Sequence, residues 1–104
     1  YEAAVRNISL NGVKDRIKVI KEVAEAVPAM GLKFDLVLAN LYGDLLLGLA
    51  PRILPLMEKG GSLILSGMTY EFSSDVKTAF AKAGFVVERS RALENFCTLV
   101  MKAA

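Results

Sequence analysis

Residues Phe34 to Ala39 read Phe-Asp-Leu-Val-Leu-Ala, a short apolar run with one acid near its start, and polar Asn40 follows at once. A run this short, bounded by polar or turn residues, fits a strand buried on both faces of a parallel sheet. A second run, Ser62 to Ser66, lies between Gly60-Gly61 and Gly67. Between the two runs stands an apolar stretch of helical character, so the unit reads strand, helix, strand. Ligands of open α/β sheets gather at the carboxyl ends of the strands. Asn40 is therefore the first residue to suspect of chemistry.

The remaining segments fit around this unit. Glu2 to Asn11 predicts a helix with Ala4, Val5 and Ile8 on one face, stopped by Asn11-Gly12. Arg16 to Lys21 alternates and predicts a strand, and Glu22 to Lys33 is a connector limited by Pro28 and Gly31. A helix is expected from Gly43-Asp44 through Leu45, Leu46, Leu49, Ile53 and Leu56 to Met57, with a kink or break near Ala50 caused by Pro51 and Pro55. Gly60-Gly61 is expected to end it. Glu71 to Ala83 is the clearest amphipathic helix, with Val76, Ala79, Phe80 and Ala83 on one face and Gly84 as its stop. Phe85 to Arg89 and Phe96 to Lys102 predict an antiparallel pair joined through Glu94-Asn95. The order implies an α/β sandwich of three layers, with an antiparallel pair added to an otherwise parallel sheet.

Composition narrows the function. The 104 residues suffice for one domain, and a mean hydropathy of +0.42 points to a strongly buried sheet or a surface that expects a partner. No apolar run reaches the roughly 18 residues that suggest a membrane span, and the first residues carry no leader pattern. Net charge is +2 with basic residues scattered among acids, which favours an ordinary solvated surface over a nucleic-acid patch. A single cysteine, Cys97, forms no internal disulfide, fits a reducing cytoplasm, and reads as a small buried hydrophobe. There is no histidine, so any mechanism dispenses with the commonest general base and metal ligand, and no metal cluster is expected.

Three local motifs resemble class I S-adenosylmethionine-dependent methyltransferases: Asn7-Ile8-Ser9-Leu10-Asn11-Gly12, Phe34 to Asn40, and Lys59-Gly60-Gly61-Ser62-Leu63-Ile64-Leu65-Ser66-Gly67. Within that superfamily the chain is most similar to the bacterial enzymes that methylate ribosomal protein L11, through Ala39-Asn40-Leu41, the Gly-Gly pair, Ser66-Gly67, and Phe96 in the final strand. The resemblance runs over nearly the whole chain. It implies a Rossmann-like methyltransferase sandwich lacking its first two strands, so that residues 1–104 are the C-terminal part of a catalytic domain. The glycine-rich loop and the ribose-binding acid of the family would precede Tyr1. The Gly-Asp that the family places near adenine aligns with Glu22-Val23, so either Glu22 substitutes for the acid or the contact is gone.

The resemblance further implies S-adenosylmethionine as cofactor, held in part by Glu22, Val23, Asn40 and Leu41, and a ribosomal protein as substrate, with no direct nucleic acid or membrane partner. Asn40 would be the catalytic residue. An amide carbonyl that accepts an amine N–H bond sets the direction of the nitrogen lone pair without titrating. Read from position alone, Asn40 is better explained as the cap of a turn before the next helix, and it is the resemblance that favours the chemical role. Ser66, Gly67 and Phe96 would touch substrate, or serve as a strand-ending turn and a core aromatic. Tyr42 either covers the site mouth or packs on the following helix. In the family's complete fold the Phe34 strand has a further strand beside it. The expectation here is that the Ile17 strand takes that place, or that two chains pair through the open edge as a homodimer. The rival reading is a non-enzymatic methyltransferase-like remnant that works as an interaction module.

Overall fold

The computed structural model describes residues 1–20, 26 and 31–104. Helix α1 spans Glu2–Leu10 and ends as expected: Val13 N–H donates to Ile8 O at 3.2 Å and Gly12 N–H to Ser9 O at 3.2 Å, with Gly12 at φ +66°. This pair of bonds is a Schellman closure. The expected apolar face does not become a core face, because no residue of α1 is buried.

Strands β1 (Phe34–Asn40), β2 (Met57–Thr69), β3 (Phe85–Leu93) and β4 (Phe96–Ala103) form one sheet of order β1-β2-β4-β3. The β1–β2 pair is parallel, and the other two pairs are antiparallel. The sheet is thus less parallel than the alternation of elements suggested. The long β2 strand takes β4 rather than β3 as its neighbour, and β3 closes the far edge as the other arm of a hairpin. Within that hairpin Leu93 faces Phe96, and Glu94 takes φ +56° in the turn.

Helix α2 spans Gly43–Ile53 and α3 spans Ser73–Lys82. They pack on each other and on one face of the sheet. Leu46, Ala50 and Ile53 of α2 and Val76 and Phe80 of α3 meet Leu63, Leu65, Met68, Leu99 and Met101 of the sheet in one core. Phe80 stacks at an angle on Phe85, with ring centroids 5.7 Å apart. Proline does not break α2 at Ala50. Pro51 sits inside the helix, where it deletes a single donor while Leu49, Ala50 and Ile53 stay buried. The change comes later, as a 3₁₀ turn over Leu54–Leu56. Met57 then already pairs with Phe34, so Gly60-Gly61 lies in an irregular stretch of β2 instead of ending the helix.

Two expectations about β1 are corrected. It is not buried on both faces. Val37 and Ala39 pack toward the core, but Leu36 is 55% and Leu38 69% exposed on the opposite face, which no described helix covers. Nor does the Ile17 segment lie beside β1. Residues 17–20 form no strand, and Ile17 and Ile20 are exposed. Alternation alone does not make a strand when no partner satisfies its backbone groups. Lys21, the last residue of that expected strand, and most of the expected connector lie outside the described residues.

The one-sided core makes a measurable contrast. Phe80→Ala is expected to lower the unfolding free energy by about 3–5 kcal/mol, whereas Leu38→Ala should change it by less than about 0.5 kcal/mol. Urea titration of both variants checks this, and a large cost at Leu38 would show that its face is covered.

Candidate active site

The carboxyl ends of β1 and β2 and the start of β4 converge. Asn40 lies opposite Ser66 in the parallel ladder, and Leu41 N–H extends the pairing by donating to Ser66 O at 3.0 Å. The chain then turns through Tyr42 into α2, whose first residue Gly43 is buried. A Cβ at Gly43 would run into Phe72, reaching that residue's Cβ at 2.8 Å and Cδ1 at 2.7 Å. Only glycine lets the start of α2 rest against the aromatic residue that precedes α3.

On β2 the register with β4 shifts between Leu65 and Met68, so Ser66-Gly67 forms an irregularity at the strand's carboxyl side. Gly67 takes φ +87°, in the left-handed region that side chains disfavour. Beyond it Thr69 faces Phe96 across the ladder, and Tyr70 N–H donates to Asn95 O at 2.7 Å, tying the β3–β4 hairpin to the turn that leads into α3.

These elements enclose a cavity of about 410 Å³ lined by Asn40, Leu41, Tyr42, Leu45, Gly67 and Phe96. A second, of about 530 Å³, shares Tyr42, Gly67 and Phe96 with it and extends toward Asp44, Thr69 and Phe72. The two form one groove across the ends of the strands. Tyr42 is 75% and Phe96 55% exposed, so both are available as walls of the groove. The Asn40 side chain is exposed and makes no hydrogen bond to another described residue.

The structure therefore brings together Asn40, Leu41, Gly67 and Phe96. Ser66 sits beside Asn40 but enters the site through its backbone carbonyl rather than as a lining side chain. Glu22 and Val23 lie outside the described residues. Phe96 is no core residue, while Cys97, next to it, is buried. Leu45, Thr69 and Phe72 escaped the sequence reading. Leu45 was hidden in a run of leucines, where nothing tells a groove-facing leucine from a core one. Among the described residues there is no cluster able to hold a metal ion, and no helix is long and apolar enough to cross a membrane.

The lining suits an alkyl chain ending in a hydrogen-bond donor: an amide, backbone, and aliphatic and aromatic walls. It does not fit S-adenosylmethionine as a whole. Among the described residues no element cradles a ribose or an adenine, and β1 has no neighbour on its outer edge.

Helices stacked on one face of a sheet with a parallel β1–β2 unit, and a groove at the strand ends, define an α/β fold that solved methyltransferases share. Its structure matches a ribosomal protein L11 methylase from Lactobacillus delbrueckii subsp. bulgaricus with a TM-score of 0.84 at 24% identity, over 99% of this chain and 53% of that one. A methyltransferase from Pyrococcus furiosus matches with a TM-score of 0.67 at 19% identity, over 97% and 55%. The model of the family described as ribosomal protein L11 methyltransferase (PrmA) matches residues 1–104, and the chain belongs to that family. A ribosomal protein L11 methyltransferase from Exiguobacterium sp. is 29% identical over 97% of this chain, and one from Pseudomonas putida is 38% identical over 77%. The chain spans 32% of the length of the first and 26% of the second, so about a third or less of these relatives.

The contact between Gly43 and Phe72 yields a test of how the groove is held. Gly43→Ala is expected to cost about 1–3 kcal/mol through overpacking, with Phe72→Ala in the same chain recovering part of it. Equal losses in both backgrounds, measured by denaturant titration, would mean that the two residues do not touch.

Proposed function

We propose that these 104 residues form the acceptor side of the catalytic domain of an S-adenosylmethionine-dependent protein N-methyltransferase, acting on lysine or amine groups of ribosomal protein L11. The observation that carries this reading is the Asn40 amide, without a hydrogen bond to another described residue, in the wall of a groove at the strand ends. When bound, S-adenosylmethionine supplies an electrophilic methyl group. This chain orients the nucleophile. Asn40 Oδ1 accepts one N–H of the neutral amine and fixes its lone-pair direction, and Tyr42 and Phe96 flank the alkyl stem. Asn40 does not titrate, so the absence of histidine from the sequence is no obstacle. A cytoplasmic setting, where ribosomal proteins are made, belongs to the same reading.

Two experiments test it. The chain by itself is expected to show no saturable S-adenosylmethionine binding below about 1 mM in calorimetry; micromolar affinity would place a nucleoside cradle within these residues. In a full-length enzyme carrying these residues, Asn40→Ala should lower kcat for L11 methylation by about 10²–10³-fold, as loss of one preorganised polar contact does. Unchanged kcat would remove Asn40 from the chemistry.

The exposed Leu36 and Leu38 and the edge of β1, which no described strand pairs, favour a second reading, a module that pairs with another copy through that edge. Sedimentation at rising concentration separates the two: a chain that stays monomeric ends the second reading.

A further inference from the structure

The structure assigns Gly67 as the positioning residue for the Asn40 amide, a role that deepens and rests on the acceptor reading of Asn40. Asn40 has no hydrogen bond to another described residue that would fix its side chain. What borders it is the bare backbone of Gly67. A Cβ built at Gly67 would overlap Asn40 Oδ1 and stand 3.0 Å from both Leu41 N and Leu41 O. The space a side chain would fill is therefore the space the amide oxygen occupies. Backbone geometry explains the location: the register shift between Leu65 and Met68 carries Gly67 under the end of β1, and φ +87° turns its missing side chain toward Asn40.

Gly67 has a second effect on the same ligand. It lines both cavities of the groove, between Tyr42 and Phe96. A side chain here would push the amide aside and crowd the lining that the two cavities share. One residue thereby leaves the room in which the amide oxygen sits and keeps the shared lining of the groove free of a side chain. Gly67 touches the reaction through Asn40, so its contribution is orientation.

A double-mutant cycle separates this role from backbone strain. If Gly67 matters only for its positive φ, Gly67→Ala lowers the melting temperature equally with Asn40 or with Ala at position 40. If it makes room for the amide, Asn40→Ala relieves much of the loss. Gly67→Asn repeats the cycle with a residue that tolerates left-handed backbone, so a fold lost to φ alone does not hide the coupling. Additive melting shifts in both cycles would overturn the assignment. In parallel, Nα-acetyl-lysine methylamide is titrated while the Asn40 side-chain amide is followed by NMR. The assignment expects a saturable shift in the unmodified chain that weakens at least about tenfold in Gly67→Asn, roughly the loss of one oriented hydrogen bond. Equal shifts in both would overturn it. No shift in the unmodified chain would instead sink the acceptor reading of Asn40, leaving the melting cycle to decide the packing of Gly67.

Discussion

Strand β2 is hydrogen-bonded on both sides, parallel to β1 and antiparallel to β4, and the site depends on that double pairing. Its inward side chains Leu63 and Leu65 are fully buried under α2 and α3, which fixes its register, since a slip by one residue would turn them outward. With β2 fixed, Asn40 on one flank and Phe96 on the other are placed relative to Ser66-Gly67. The groove is the gap left where three strand ends and one register shift fail to coincide. Its walls come from segments remote in sequence, held by one core.

Much of this was legible in the residues. The apolar runs at Phe34 and Ser62, the period of Val76, Ala79, Phe80 and Ala83, and the turn at Glu94-Asn95 each predict an element that forms. The position of Asn40 at the strand end was legible too, although a polar residue there also has a structural reason, as the cap of the turn into the next helix. What failed was of a different kind. The alternation from Arg16 to Lys21 gave a local pattern, but a strand is a pairwise object and its partner cannot be read from one segment. Likewise β1 looked buried on both sides because its composition is apolar, yet burial depends on which elements cover each face. Pro51 was overread: one absent donor costs less than the packing of Leu49, Ala50 and Ile53 restores.

The contribution of Gly67 was the least legible. Its position after Ser66 suggested a turn, and the resemblance suggested contact with substrate. Neither reveals that its backbone lies where an Asn40 neighbour would need a side chain. Close approaches between backbone and side chain across strands leave no local signature, because each partner is unremarkable alone. The same holds for Gly43 and Phe72, which are far apart in the chain yet so close in space that a Cβ at Gly43 would meet the Phe72 side chain.

The bonds that close the groove are main-chain bonds. Leu41 N–H to Ser66 O and Tyr70 N–H to Asn95 O carry no side-chain requirement at either end. The residues at 66, 70 and 95 can therefore change identity while the frame keeps its dimensions. Such an architecture separates inheritance of shape from inheritance of side chains: descendants of one sequence can exchange the residues that flank the groove without rebuilding the frame that holds it open.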